Sequence, residues 1–542
     1  MAEKTFPHEL TEIDHDEMVT KKESNPHETI TVSDVKGKRH FSAYMVISVV
    51  IVLFGSLSYS FSAGVIGTTI GQPSFSKYMG LDNNPNASAI LGATASLFYV
   101  GGVFGSIFSN VVSDRWGRKA SIYTGCIMVL CSGALCAGSV NIAMFIVFRF
   151  VAGFGGFMLS MVVPVWILEV APAEVRGAFA QGHAGVLSLG YLLANYVGVG
   201  FYLNLPLTTV NAWRGPQAIS CLPPILCLAG LWYIPESPRY LFMKERDSEA
   251  RGILFKIHKS PGDDFIYSEI EEFQIRKQIE LDRMLPSSWL YMIKKPSNRK
   301  RMWMTIFIGF GILSNGNIVL STYCTIIMKS LGFDATKQLL IQAGIFAATI
   351  SGPFIAILYV EKFRRPTLVA TGLTLDLIFL LIFVALFASF VNGTNRAAQI
   401  TCVALVYMFE VTFNLFIEGP LAYWATEFYP TNLRAKGATI QTVTFACTAT
   451  LWGQSAPSGI TNIGWKFFLC FIAISVVVII ALYFYFPDTQ GKTLEEVALL
   501  FGDDDLVVVR QSDIQLDSHH RIIAKQQNGE EIVEDVVIKK DA

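Results

Sequence analysis

Twelve apolar runs in this chain are each long enough to cross a lipid bilayer, and no other feature of the sequence constrains the fold as much. A helical crossing needs about 20 predominantly apolar residues. Inside hydrocarbon there is no water to satisfy backbone groups, so such runs must close their hydrogen bonds internally as helices. Only 16% of the residues are charged, against about 25% in an ordinary soluble protein. The expected fold class is therefore an all-α membrane protein with twelve transmembrane helices. Six runs lie within 42–234 and six within 302–486. Residues 1–41 read as a disordered tail, 235–301 as a polar linker with short helices near 245–259 and 266–284, and 487–542 as a second polar tail. The first forty residues lack the charged n-region and apolar h-region of a signal peptide, so the first helix is expected to direct its own insertion.

Asp114-Arg115-Trp116-Gly117-Arg118-Lys119 interrupts the apolar pattern between the second and third runs. Its charges exclude it from hydrocarbon, and Gly117 allows a tight turn. Basic residues in short loops mark the cytoplasmic side. With an even number of crossings, both termini are then expected in the cytoplasm. The opposite loops are poor in Lys and Arg and carry the two Asn-x-Ser/Thr sequons, Asn86 and Asn392, which are candidate glycosylation sites.

The chain repeats itself. Asp114…Arg118 recurs as Glu361…Arg365, Glu169…Arg176 as Glu427…Arg434, and Pro235-Glu236-Ser237 as Pro487-Asp488-Thr489. All three recurrences are spaced by about 250 residues, which implies two six-helix halves of the kind found in secondary transporters. Asp114, Arg118, Glu169, Arg176, Glu361, Arg365, Glu427 and Arg434 are the candidate gating residues, expected to draw the two halves together at the cytoplasmic face. Exposed pairs of this kind contribute about 0–1 kcal/mol each, enough to bias an equilibrium without freezing it.

Polar residues inside the runs mark a candidate substrate site. Arg149 lies within the fourth run, where a charge costs roughly 2.5–3.5 kcal/mol near the bilayer centre and normally faces a cavity or a partner. The seventh run contains Ser314, Asn315 and Asn317 with Gly311 and Gly316, a pattern suited to a broken helix. His183, Asn195 and Glu418 complete the candidate set, with Asp376 and Glu410 the other acids within the runs. Interhelical hydrogen bonding is the competing role for the amides. The nine cysteines form no CxxC pair and sit near no histidine at metal spacing, so neither metal nor cofactor is expected. Gly491-Lys492-Thr493 is not a nucleotide loop, because Phe486 stands where that loop requires glycine. No basic stretch suits nucleic acid, and no nucleophile–base cluster suits an enzyme.

The segments DRWGRK (114–119), RFVAGFGGF (149–157), EVAPAEVRGA (169–178), PESPRYL (235–241), EFYPTNLRAKG (427–437), NIGWKFFLCF (462–471) and PDTQGKTLEE (487–496) resemble, in order and spacing, the sugar porters of the major facilitator superfamily, particularly the fungal members. The resemblance implies the major facilitator fold, a cytoplasmic cap of short helices after helix 6, and alternating access to a central sugar site. It also exposes departures. Proton-coupled members carry an Asp where this chain has Ser62. The sugar-binding Gln of helix 5 corresponds to Ala184 and the Gln pair of helix 7 to Gly311-Ile312, while Asn317 matches the family's Asn. The helix 10 tryptophan falls at Ala422 or Trp424.

The expected function is secondary transport of a sugar or sugar-like solute by a monomer in the plasma membrane. A carrier or exporter of another organic metabolite, or a non-transporting nutrient receptor, is the alternative. Two coupling schemes stand. Neither Ser62 nor Arg149 titrates in the physiological range. Uniport needs no relocated residue and is placed first; proton symport would require Glu410 or Glu418 to take the missing acid's role.

Overall fold

The computed structural model describes residues 42–502 apart from 83, 172–175, 207–208, most of 259–287, 357–358, 360–361, 391–394, 491–496 and 498–499; in the tail it describes 514–516, 522–525 and 531–534. The first tail, Asn392 and Glu361 lie outside the described residues, as does the side chain of Arg176.

The first half comprises α1 (Ala43–Gly71), α2 (Ala87–Trp116), α3 (Arg118–Ala137), α4 (Ile142–Val170), α5 (Arg176–Asn204) and α6, which runs from Asn211–Ile219 into Leu222–Gly230. The second half comprises α7 (Pro296–Leu313, Asn317–Thr322 and Cys324–Ser330) and α8 (Ala335–Thr349 and Gly352–Ala356). It continues with α9 (Arg365–Phe390), α10 (Arg396–Phe413, a π-helical turn Asn414–Glu418, then Gly419–Glu427), α11 (Thr431–Ile463) and α12 (Leu469–Tyr485). Ser42, Asn141, Asp334 and Asn395 each cap a helix by accepting a backbone N–H of its first turn. The sequence-level breaks have local causes. Pro216 and the Pro223-Pro224 pair interrupt α6. In α7, Gly316 adopts φ +101°, a left-handed conformation that side-chain-bearing residues avoid. The linker supplies the short helices Pro238–Met243, Asp247–His258 and Trp289–Lys294. The C-terminal polar tail contains three short strands, β1 (Ile514–Leu516), β2 (Ile522–Lys525) and β3 (Glu531–Glu534), paired antiparallel in that order.

Lipid-facing positions such as Val477, Ile382 and Phe484 are exposed apolar side chains, as a helix bathed in hydrocarbon requires. Within the first half α2 and α4 make the closest crossing. A Cβ on Gly153 would lie 1.7 Å from the Phe98 carbonyl oxygen, so the two backbones touch where only glycine fits. Among the described residues, two seams carry most of the contact between the halves. Along α2 and α11, Ser88 meets Thr461 (3.2 Å), Ser96 donates to Gln454 (2.8 Å) and Asn110 donates to Thr439 (2.6 Å). Along α5 and α8, Tyr191 stacks on Phe346 with ring centroids 5.7 Å apart. At the end remote from the basic loops, Ile66, Phe75 and Trp213 of the first half join Leu320, Tyr323 and Phe468 of the second in one buried apolar cluster, which closes that end.

Candidate functional site

Arg149 is 2% exposed, two turns into α4. Its Nη1 donates to the Ser62 carbonyl (2.7 Å) and its Nε to the Thr94 carbonyl (3.3 Å), while the guanidinium lies 4.5 Å from the Phe98 ring centroid. Hydrogen bonds to a charged group contribute about 1.5–3 kcal/mol each, and a desolvated cation–π contact about 2. Together they offset the insertion cost of the charge, so Arg149 is accommodated without a carboxylate. Ser62 therefore serves through its backbone, at the position where proton-coupled relatives carry an acid.

In the second half the polarity is reversed. The break in α7 carries the buried Asn315 and the half-buried Asn317, and each amide goes to a buried acid. Asn315 Nδ2 donates to Asp376 Oδ2 on α9 (3.0 Å), and Asn317 Nδ2 donates to Glu410 Oε2 on α10 (2.9 Å). The two asparagines are themselves joined, the Asn317 backbone N–H donating to Asn315 Oδ1 (2.9 Å). Trp452 of α11 donates to Ser314 (2.8 Å) and steadies the break from the other side.

Glu418, in the π-helical turn of α10, is solvent-exposed although it lies within a membrane helix. Its electrostatic partners are interior groups, namely Tyr59 of α1, Tyr191 of α5 and Glu410. The carboxylate thus opens onto space inside the protein and faces the first half. Tyr59 and Tyr191 neighbour each other across α1 and α5, and Tyr99 lies beside Thr322 of α7. Tyr59, Phe98, Phe157 and Phe445 form one aromatic cluster around this level. These tyrosines were absent from the sequence-level candidates, because an aromatic in an apolar run carries no signal of its own.

The other candidates separate. His183 is half-buried on α5, and its Nδ1 pairs with the Ser56 hydroxyl of α1 at 2.8 Å. Asn195 is fully buried; its amide bonds back to the Tyr191 carbonyl (2.9 Å), and its Oδ1 has no partner. Asn86 is exposed immediately before α2.

At the basic face, Arg118 forms a two-pronged bridge to Glu169, Nε to Oε2 at 2.9 Å and Nη2 to Oε1 at 2.8 Å. In the second half Arg365 Nη2 approaches Glu427 Oε1 at 3.7 Å, and Thr489 donates to Glu427 Oε2 (2.6 Å). The repeat seen in the sequence is thus a repeat of geometry. Its position differs from expectation: both bridges close within their own half, α3 to α4 and α9 to α10, rather than between halves. The reason is local, since in each half the arginine opens one helix and the acid ends its neighbour. Asp114 is exposed and interacts with Arg118 only at longer range; Arg434 is also exposed. Glu236, a part of the repeated Pro-Glu-Ser, emerges as a further member. Its Oε1 accepts from the backbone N–H groups of Arg118 (3.0 Å) and Ser237 (2.9 Å), and its Oε2 from that of Lys119 (3.2 Å). Burial pushes its carboxyl above the usual range, while these donors and Arg118 pull it back.

Two pseudo-repeated halves, polar groups gathered at mid-membrane on broken helices, and mirrored charges at one face define a secondary transporter rather than an enzyme. The chain belongs to the family of sugar (and other) transporters, whose model matches residues 48–501. Among curated relatives it is 27% identical over 456 residues to the MFS-type transporter criB of Aspergillus cristatus, covering 83% of this chain and 91% of that one. It is 26% identical over 472 residues to the MFS glucose transporter mfs1 of Aspergillus flavus, covering 83% and 87%. Among solved structures, the proton:xylose symporter XylE bound to 6-bromo-6-deoxy-D-glucose superposes with a TM-score of 0.69 at 22% identity, covering 85% of this chain and 99% of that one, a likeness of fold.

Proposed function

We propose that this protein carries a sugar or sugar-like polyol across the plasma membrane by alternating access, with both termini in the cytoplasm. The observation that carries the reading is the Glu418 carboxylate, open to interior space and facing the Tyr59–Tyr191 pair of the opposite half. A carboxylate beside aromatic faces suits a solute with hydroxyl groups on an otherwise apolar ring, since binding sites combine aromatic walls with few placed polar groups. A relative named as a glucose transporter supports the same class. Asn317, through its bond to Glu410, and His183 are taken as further members of the site, while Arg149 and Asn195 turn to backbone carbonyls. Opening and closing would proceed by motion of one half against the other, the bridges at the basic face keeping each half rigid. Uptake of a labelled sugar and polyol panel in a transport-deficient cell, with and without a protonophore, tests the proposal. Uptake of at least one hexose, pentose or polyol is expected. For that solute, Glu418→Gln should raise the KM roughly 10–100-fold, the loss of one hydrogen bond to a charged group, with surface protein unchanged. No uptake across the panel by well-folded surface protein would overturn the sugar reading.

A further inference from the structure

We propose that Asp376 and Glu410 together form a proton-binding site that governs the break in α7. Among the described residues, the first half offers no carboxylate at mid-membrane: Arg149 is satisfied by carbonyl oxygens, and His183 pairs with the Ser56 hydroxyl. The second half contains two acids with exposures of 1% and 3%. Each has one oxygen occupied by an asparagine amide and one oxygen, Asp376 Oδ1 and Glu410 Oε1, with no hydrogen-bond partner. The occupied oxygens are linked through the α7 break by an unbroken chain of bonds: Asp376 Oδ2, Asn315, the Asn317 backbone, the Asn317 amide, Glu410 Oε2.

Electrostatics requires a visiting positive charge. Asp376 faces Glu410, and Glu410 faces Glu418 on its own helix and Cys324 on α7. Around the break, α11 and α12 contribute Trp452 and Phe471, neither of which titrates. Among the described residues no basic side chain is coupled to either acid; Arg149 is coupled to Cys136, Tyr99 and Tyr323 instead. An uncompensated buried carboxylate costs several kcal/mol, and two neighbouring ones cannot both ionise cheaply. A proton taken from water onto an unpartnered oxygen removes the charge and leaves the other oxygen as the acceptor for its asparagine. The chain of bonds then holds the break shut against α9 and α10. When the proton returns to water, the two carboxylates repel and draw water in, and the asparagine chain is pulled apart at Gly316, where the left-handed backbone already interrupts the helix. Coupling of this opening to solute movement would make the carrier proton-linked, through the second half rather than through helices 1 and 4. That consequence rests on the transport reading; the site itself does not.

Hydrogen–deuterium exchange of residues 311–323 in the purified full-length protein tests the site with no solute present. Rates are measured between about pH 5 and pH 9 and corrected for intrinsic exchange. In the wild type, opening of the segment should rise about tenfold per pH unit through the transition, the slope of one linked proton. In Asp376→Asn/Glu410→Gln it should stay at the closed value throughout. A flat wild-type profile, or a transition that survives in the double variant, overturns the proposal. If the double variant does not fold, Glu410→Gln alone should move the midpoint by about one pH unit or more, and an unmoved midpoint overturns it. Repeating the wild-type series with choline in place of sodium distinguishes the ion, since a transition that vanishes without sodium overturns the assignment to a proton. Because the readout needs no transport, a negative result here leaves the sugar reading intact, and a failed uptake panel leaves this site intact.

Discussion

Glu169→Gln and Glu427→Gln remove equivalent acids from the two halves, yet their effects should differ. Arg118 and Glu169 share two short bonds, with side-chain exposures of 8% and 10%. Arg365 and Glu427 approach at 3.7 Å, and Glu427 is 29% exposed. Breaking a fully buried pair costs about 3–5 kcal/mol. For Arg118 that figure is reduced, because Asp114 and Glu236 still act on it and glutamine keeps one acceptor oxygen. A loss of about 2 kcal/mol follows, comparable to one or two charge-assisted hydrogen bonds. The longer bridge, with Arg365 at 5% and Glu427 at 29% exposure, is weakened by its 3.7 Å separation and falls toward the range of surface pairs, about 0–1 kcal/mol. At 1.4 kcal/mol per factor of ten, the first variant should shift its local equilibrium roughly thirtyfold and the second less than about fivefold. Maleimide labelling of single cysteines at the ends of α3–α4 and α9–α10 in membranes reads the two loosened crossings separately. Because each bridge lies within one half, Glu169→Gln should raise labelling at α3–α4 and leave α9–α10 unchanged. Equal effects of the two variants, or loosening that appears in both halves at once, would refute the view that these charges hold each half together.

Gly153→Ala should abolish surface expression, since its Cβ would meet the Phe98 carbonyl at 1.7 Å, whereas Gly182→Ala, with nothing within 4 Å, should leave expression at the wild-type level; surface immunoblotting compares them. Arg149→Lys should lower the thermal unfolding temperature in detergent at least as much as Arg149→Met. The lysine retains an insertion cost of roughly 2.5–3.5 kcal/mol while it forfeits the fork that reaches both Ser62 and Thr94. A lysine variant as stable as the wild type would show that the two carbonyl bonds contribute nothing.

The twelve crossings and their duplication were legible because both follow from spacing: apolar length sets each helix, and recurring charges set the repeat. The break in α7 was legible too, since Ser314-Asn315-Gly316-Asn317 combines side chains that compete for backbone bonds with a residue free to take positive φ. Partnerships were not legible. Nothing in the sequence says that Arg149 turns to carbonyl oxygens, because every residue has one. Asn315 and Asp376 are 61 positions apart, and their pairing depends on which faces of α7 and α9 meet. Tyr59 and Tyr191 look like lipid-facing aromatics until the helices are assembled. The bridges were expected between halves because charge patterns report the membrane face on which residues lie, not the neighbour they turn to. In the tail, the strands span three or four residues each, too short for an alternating pattern to stand out.

The distribution of charge bears on how the halves can move. Arg149 is satisfied within the first half, Asp376 and Glu410 by amides within the second, and both basic-face bridges within their own halves. What the described residues place along the seams is uncharged: hydroxyl and amide hydrogen bonds on α2–α11 and an aromatic stack on α5–α8. Neutral hydrogen bonds contribute about 0.5–1.5 kcal/mol each, and an aromatic pair about the same beyond its buried area. A solute bound at millimolar to micromolar affinity releases about 4–8 kcal/mol, enough to exchange several such contacts for others. A buried ion pair across the seam would not be exchangeable in this way, since parting it would leave two uncompensated charges at a cost of several kcal/mol each. Keeping the charged contacts seen among the described residues inside one half or the other therefore leaves a seam weak enough for solute binding to rearrange, while each half moves as a unit.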